Sequence, residues 1–250
     1  MIELRNPHSS LAAMQVRPRG VKSLRLPPVT HGDIWEQVAT AAHDLKIPVT
    51  GSQRDRSGSR SGRDTERAGG GSAVVEPPSP VPLDILFSAA DESSRSSIWL
   101  ALDQIQDPQN MGAIFRLAAF FGVCGIVMTK DRSAPVNATV CDVAAGGVEY
   151  VAYSVIPNLA QAIEKSQQNG IWVLGTCERA TSRIQEITAD RHWMLVVGNE
   201  GQGLRRLTRE KCDQLISFPS RGAVPSLNVA TATAACLALL TNSETDHGGK

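Results

Sequence analysis

Apolar runs recur along the second half of this chain, separated by polar or helix-patterned stretches. "IWLALD" (98–103), "GIVMT" (125–129), "YVAYS" (150–154), "IWVLGT" (171–176), "WMLVVG" (193–198) and "QLISFP" (214–219) read as strands. Helical spacing between and after them predicts helices over 112–122, near 138–146, near 158–168, near 204–213 and near 227–241. Strands that are apolar throughout, alternating with helices, predict an α/β domain with a parallel sheet covered by helices on both faces. In such sheets ligands bind outside the carboxyl ends of the strands. The loops after "IWLALD", "WMLVV" and "QLIS" are therefore where chemistry is expected.

The front of the chain is patterned differently. "GVKSLRL" reads as a strand, "DIWEQVATAAHDLKI" as an amphipathic helix and "PVTG" as a second strand, which together make a small α/β unit. Residues 51–73 hold six glycines, five serines and five arginines, with two alanines as their only apolar content. Such a segment buries too little surface to offset the entropy of ordering, so a disordered surface insertion is expected, with an RNA-touching arginine loop as the other reading. "EPPSPVP" (76–82) has four prolines in seven positions and reads as an extended connector. The expected organisation is a front domain over 1–78 containing the insertion, a linker over 79–96, a main domain over 97–243 and a flexible tail over 244–250.

Composition narrows the classes. The chain has 250 residues, 42% hydrophobic and 20% charged, enough for a core without staples. Cys124, Cys141, Cys177, Cys212 and Cys236 are widely spaced, and neither they nor His8, His31, His43, His192 and His247 form a pair at ligand spacing. No metal and no disulfide framework are expected. No run reaches the roughly 18 apolar residues that span a bilayer, and "MIELRNPHSS" lacks the basic-then-apolar pattern of a signal peptide. A cytoplasmic protein without membrane contact is the expectation. Formal charge is zero overall, but residues 1–67 hold 11 Lys/Arg against 7 Asp/Glu and residues 68–250 hold 14 against 18. A polyanion partner for the front end and an ordinary solvated surface both fit that asymmetry. Trp35, Trp99, Trp172 and Trp193 lie in apolar contexts and are expected in the core.

Three loops bear candidate chemistry. In "DPQNMGAIFRLA" (107–118), Arg116 lies on an otherwise apolar helix, so its guanidinium must reach solvent or face an anion. In "VVGNEGQGL", Gly198, Gly201 and Gly203 permit close approach to main chain, yet neither a dinucleotide fingerprint nor a phosphate-binding loop has this spacing. Glu200 would repel a phosphate but could bind an amine, a hydroxyl or an arginine. In "SLNVATATAACLALL", Ser226 fits a helix cap, which would place Asn228 in the first turn, where its amide could meet a ligand. Arg205, Arg206, Arg209 and Lys211 form a cationic run that reads as a solvated helix face or as an RNA-steering patch.

"NMGAIFRLA", "VVGNEGQGL" and "SLNVATATAACL", in that order and spacing, resemble the three motifs of the SpoU/TrmH family of RNA ribose 2′-O-methyltransferases, in the SPOUT superfamily. The likeness runs from about Leu100 to Leu240. "KDRSAPVNATVCDVAAGGVEYV" and "IWVLGT" are similar to the branch that methylates a guanosine ribose in bacterial 23S rRNA. The resemblance implies a homodimer, a C-terminal domain threaded into a trefoil knot that binds S-adenosylmethionine, and a front domain like ribosomal protein L30e that binds RNA. By the same resemblance, Asn110, Arg116, Glu200, Ser226 and Asn228 match catalytic and substrate-site positions. Gly198, Phe218 and Leu227 match cofactor contacts, with Thr176 as a further candidate. A guanidinium stays protonated in proteins, so Arg116 is expected to clamp an RNA phosphate and ease loss of the ribose hydroxyl proton. Two other functions remain open at this point: a tRNA ribose methyltransferase and a non-catalytic RNA-binding or ribosome-assembly protein. The insertion at 51–73 departs from the branch, as does a start without its usual glycine-led opening.

Overall fold

The computed structural model describes residues 1–28, 30, 34–50, 70–88, 90, 96–178, 180–188, 190–199, 201, 203–218, 220, 222–224 and 226–242. In chain order the elements are β1 (Ile2–Leu4), α1 (Pro7–Val16), β2 (Val21–Arg25), α2 (Ile34–Asp44), β3 (Val49–Thr50), β4 (Ser72–Val75), α3 (Leu83–Phe87), β5 (Ile98–Asp103), α4 (Pro108–Phe120) and β6 (Gly125–Thr129). Then follow α5 (Ala138–Val143), α6 (Gly147–Tyr150), β7 (Tyr153–Ile156), α7 (Leu159–Gln168), β8 (Trp172–Thr176), β9 (Ser182–Arg183), β10 (Trp193–Gly198), α8 (Arg206–Lys211), β11 (Gln214–Ser217) and α9 (Val229–Asn242). They group into two compact units: Met1–Pro78 with Val136–Tyr150, and Ser79–Pro135 with Val151–Lys250.

The first unit has a sheet in the order β1-β4-β2-β3, with β4 antiparallel to both neighbours and β3 parallel to β2. Leu4, Met14, Leu24, Val38, Ala73 and Val75 are buried in it. Of the stretch 51–73, residues 51–69 lie outside the described residues, whereas Ser72 and Ala73 open β4. Helix α1 begins where Asn6 accepts from the His8 N–H at 2.9 Å and Pro7 supplies a helical φ. The sequence pattern did not predict this helix, because its buried face is built mostly from small residues, Ser9, Ser10, Ala12 and Ala13, with Met14 as its one large apolar member. Helices α5 and α6 dock on α1. The Asp142 carboxylate accepts from the Arg5 and Asn6 N–H groups at 3.0 Å each, and Ser9 Oγ donates to the Cys141 carbonyl at 2.7 Å. Arg17 grips Glu149 through Nε at 2.6 Å and Nη2 at 2.7 Å. The single helix predicted near 138–146 is broken in two by Ala145 (φ 49°) and Gly146 (φ 95°). A Cβ on Gly146 would lie 2.9 Å from the Ala12 Cβ, so both backbone angle and packing demand glycine.

The second unit contains a seven-stranded sheet in the order β7-β6-β5-β10-β8-β11-β9, with every pairing parallel. All residues of β5, β6 and β10 are buried, as strands covered on both faces must be. Trp99, Ala101, Val173, Met194 and Val196 pack with Leu159, Ala162 and Ile163 of α7. Alternate positions face the other way, where Phe115 of α4 meets Tyr153 edge to face at 5.7 Å. β5 and β10 occupy the residues the apolar pattern predicted, while the strand predicted at 150–154 is found at Tyr153–Ile156. α4 starts four residues earlier than predicted, since Pro108 is tolerated in a first helical turn capped by Asp107. Trp35, Trp99 and Trp193 are buried, but Trp172 is 42% exposed and carries the Arg191 guanidinium 4.5 Å above its ring. Its position at the first residue of a strand leaves one face open, and a cation covers it. Among the described residues no helix is long and apolar enough to cross a membrane.

Candidate active site

Because the strands run parallel, Asp103, Gly198, Thr176 and Ser217 all end at one edge of the sheet, on the neighbouring strands β5, β10, β8 and β11. Two of the candidate residues, Asn110 and Asn228, are brought together at the starts of α4 and α9. Asp107 caps α4, accepting from the Gln109 N–H at 2.9 Å, and its other oxygen accepts from Asn110 Nδ2 at 3.2 Å. Asn110, 7% exposed, accepts in turn from Asn228 Nδ2 at 2.8 Å. Asn228 Oδ1 accepts from the N–H groups of Ala230 at 2.9 Å and Thr231 at 3.3 Å. Asn228 therefore caps α9, and Ser226, expected in that role, lies exposed two residues earlier. Asparagine at the cap leaves one end of the amide free to reach across to α4, which a serine is too short to do. An unbroken chain of polar contacts thus joins the starts of two helices whose sequences lie 118 residues apart.

Arg116 does not join this chain. Six residues beyond Asn110 on α4, it lies about 9 Å further along the axis and roughly 120° around it. It is exposed and makes no hydrogen bond or ion pair among the described residues. Glu200 falls outside the described residues.

The glycine-rich loop is held tightly. A Cβ on Gly198 would fall 2.3 Å from the Gly203 carbonyl carbon and 2.5 Å from the Leu204 nitrogen, so the loop folds back over its own first residue. The Gly203 N–H donates to the Asn199 carbonyl at 2.8 Å, and the Gly201 N–H to Asn199 Oδ1 at 2.9 Å. Thr176 is half-buried, its hydroxyl donating to the Val196 carbonyl at 3.2 Å, so only its main chain is left for a ligand. Phe218 is half-buried, and Leu227 is 53% exposed.

Sequence reasoning missed Asp103, Asp107 and Asn199. The Asp-Pro pair before a helix is a legible cap signal for Asp107; nothing local marks Asp103, whose partner is 102 residues away. The cationic run also reads differently in three dimensions. Arg205 is bound to Asp103, Arg206 pairs with Glu210 at 2.8 Å and Lys211 pairs with Glu164, so of the four cations in this run Arg209 alone has no carboxylate partner among the described residues.

The SpoU rRNA Methylase family model matches residues 97–238, and this chain belongs to that family of α/β methylases. Among its relatives, the 23S rRNA (guanosine-2′-O-)-methyltransferase RlmB of Pseudomonas aeruginosa is 37% identical over 92% of both chains. The RlmB of Vibrio parahaemolyticus is 47% identical over 57% of this chain and 58% of its own. Among solved structures, the SpoU methyltransferase AviRb of Streptomyces viridochromogenes, in complex with AdoMet, superposes with a TM-score of 0.76 at 20% identity, covering 97% of this chain and 90% of that one. That last likeness is one of fold.

Proposed function

We propose that this chain is an S-adenosylmethionine-dependent methyltransferase that modifies a ribose 2′-hydroxyl in RNA, a guanosine of 23S rRNA. The observation that carries the reading is the Asp107–Asn110–Asn228 chain at the mouths of α4 and α9, with Arg116 exposed on the same helix. The full-length similarity to the Pseudomonas RlmB supports the rRNA substrate over tRNA.

The cofactor supplies an electrophilic methyl group on a sulfonium. The residues present suit an adenosyl group: Gly198, Thr176 and Phe218, at or just past the ends of three strands, and Leu227, just before α9, offer main-chain donors and acceptors, and Leu227 and Phe218 add apolar surface for a base. The amides of Asn110 and Asn228, each fixed by its partner, orient polar groups at the reacting end and give alignment without reorganisation. Arg116 clamps an RNA phosphate with its planar fork, raising positive potential near the 2′-hydroxyl, whose proton leaves to water or a neighbour. Glu200 and Ser226 complete the substrate side of the site.

The offset of Arg116 from Asn110 supports a homodimer in which the arginine of one subunit serves the amide pair of the other. Phe120 on α4, 80% exposed, and Leu239 on α9, 38% exposed, supply apolar surface for that pairing. The strand order supports the trefoil knot, since β10 enters between β5 and β8 and β11 between β8 and β9. The front unit serves as an L30e-like RNA-binding domain, the enzyme needs no metal, and its place is the cytoplasm with its substrate.

Transfer of labelled methyl from S-adenosylmethionine to unmodified 23S rRNA and, separately, to bulk tRNA tests the reading. Label in rRNA at an alkali-resistant guanosine linkage is expected. Label in tRNA alone would overturn the substrate, and no label from a protein that binds the cofactor would overturn the reaction.

A further inference from the structure

The last residue of β5, Asp103, is 1% exposed, and its carboxylate points across β10 to the far end of the glycine-rich loop. One oxygen accepts from Arg205 Nε at 2.7 Å and the other from the Arg205 N–H at 3.1 Å. Asp103 is also the register partner of Gly198, so the carboxylate starts beside the residue where the loop leaves the sheet and grips the residue where it ends. The next residue, Gln104, adopts φ 63°, an unfavourable angle for a side chain larger than glycine, and its carbonyl accepts from Asn199 Nδ2 at 3.1 Å. Strain of this kind persists where neighbours over-determine the backbone. The loop is thus bolted to the end of β5 at both of its ends, by Gln104 at Asn199 and by Asp103 at Arg205.

We propose that Asp103 and Arg205 are positioning residues for the methyl-transfer reaction: their ion pair, with a fully buried carboxylate and a half-exposed guanidinium, fixes where the main chain at Asn199, Gly203 and Leu204 sits, and through it the surface that receives the cofactor. The inference rests on the proposed cofactor site. A charge-assisted, two-point contact defines geometry more narrowly than a point charge does, which suits a loop whose glycines would otherwise leave it many conformations. It also explains why the first arginine of the cationic run is turned to the protein rather than to solvent.

The test uses the full chain with Asp103→Asn, Arg205→Gln and the double variant. Cofactor affinity is read by calorimetry, rRNA affinity by gel shift, and amide hydrogen exchange at Gly201 and Gly203 without cofactor. Each single variant is expected to weaken cofactor binding at least tenfold and to speed exchange at both glycines, with rRNA affinity within twofold of the parent. The double variant, with a neutral amide pair, is expected to lose less than the two singles together. Cofactor affinity within twofold of the parent, or unchanged exchange, would overturn the proposal. So would losses that simply add. Should Asp103→Asn fail to fold, Arg205→Gln alone decides, since that side chain is 43% exposed. Failure of the parent itself to bind the cofactor would instead overturn the functional reading, and the exchange rates would still decide whether the pair shapes the loop.

Discussion

Helices α1 and α4 begin with the same local chemistry: an amide or carboxylate cap, a proline at the first helical position, and a cap side chain that accepts from the second N–H. Around α1 the polar groups close on one another. Asn6 is matched by Asp142 and Arg17 by Glu149, so the cluster is spent on holding α5 and α6. Around α4 the contacts run outward from Asp107 through Asn110 to the cap of α9, and Arg116 is left exposed. The same capping motif therefore serves packing in one unit and, in the other, ties together the starts of two helices, where the site is proposed. What separates them is the arginine: Arg17 meets a carboxylate that is 4% exposed, while Arg116 faces solvent.

The largest effect that would sharpen this contrast is expected at Arg17. Arg17→Ala leaves Glu149 buried without its cation and should destabilise the protein by about 3–5 kcal/mol in urea unfolding, with cofactor affinity of the folded fraction unchanged. Next comes Gly198→Ala, whose Cβ meets main-chain atoms that cannot step aside. Overpacking of about 1–3 kcal/mol should appear as roughly 10- to 100-fold weaker cofactor binding, measured by calorimetry. Asn228→Ala removes a cap and a hydrogen bond and should cost about 2 kcal/mol of stability. Asn228→Asp keeps the cap but not the donor to Asn110, so stability should fall less while methyl transfer falls as far as in the alanine variant. An aspartate variant with parental activity would break the claim that the amide pair serves catalysis.

The last effect is in pH dependence and is confined to strongly alkaline solution. Burial pushes the thiols of Cys141, Cys212 and Cys236 up to about 12 from their ordinary value near 9. Above that ordinary value the unfolded chain loses thiol protons that the native protein keeps. Between about pH 9 and pH 12 the unfolded state thus binds fewer protons, and stability falls as pH rises. Urea midpoints should drop over this range, and a Cys141→Ala chain should show a shallower drop. The two buried thiols, Cys141 and Cys236, should also react with a disulfide reagent only on unfolding.

Much of the sheet was legible because its strands are buried on both faces and so spell unbroken apolar runs: "IWLALD" and "WMLVVG" are found residue for residue. Elements built on small residues were not legible. α1 buries two serines and two alanines beside a single large residue, Met14, and β4 follows a glycine run that hides its start. The split between α5 and α6 depends on a backbone angle at Ala145 that its side chain does not advertise. Among the candidate site residues, the motifs singled out Asn110, Arg116 and Asn228, but the role of Asn228 as a cap became clear only from its bonds to Ala230 and Thr231. The Asp103–Arg205 pair joins the end of β5 to the start of α8, 102 residues apart, a relation that local pattern cannot express.

Under the proposed function Arg116 acts on RNA and holds up nothing in the protein. Arg116→Ala, assayed for labelled methyl transfer to 23S rRNA alongside its melting temperature and cofactor affinity, tests it most directly. Transfer is expected to fall by about 100-fold or more, as for loss of a preorganised charge contact, with melting and cofactor binding unchanged. Transfer at the parental rate, or a loss that tracks a lowered melting temperature, would contradict it.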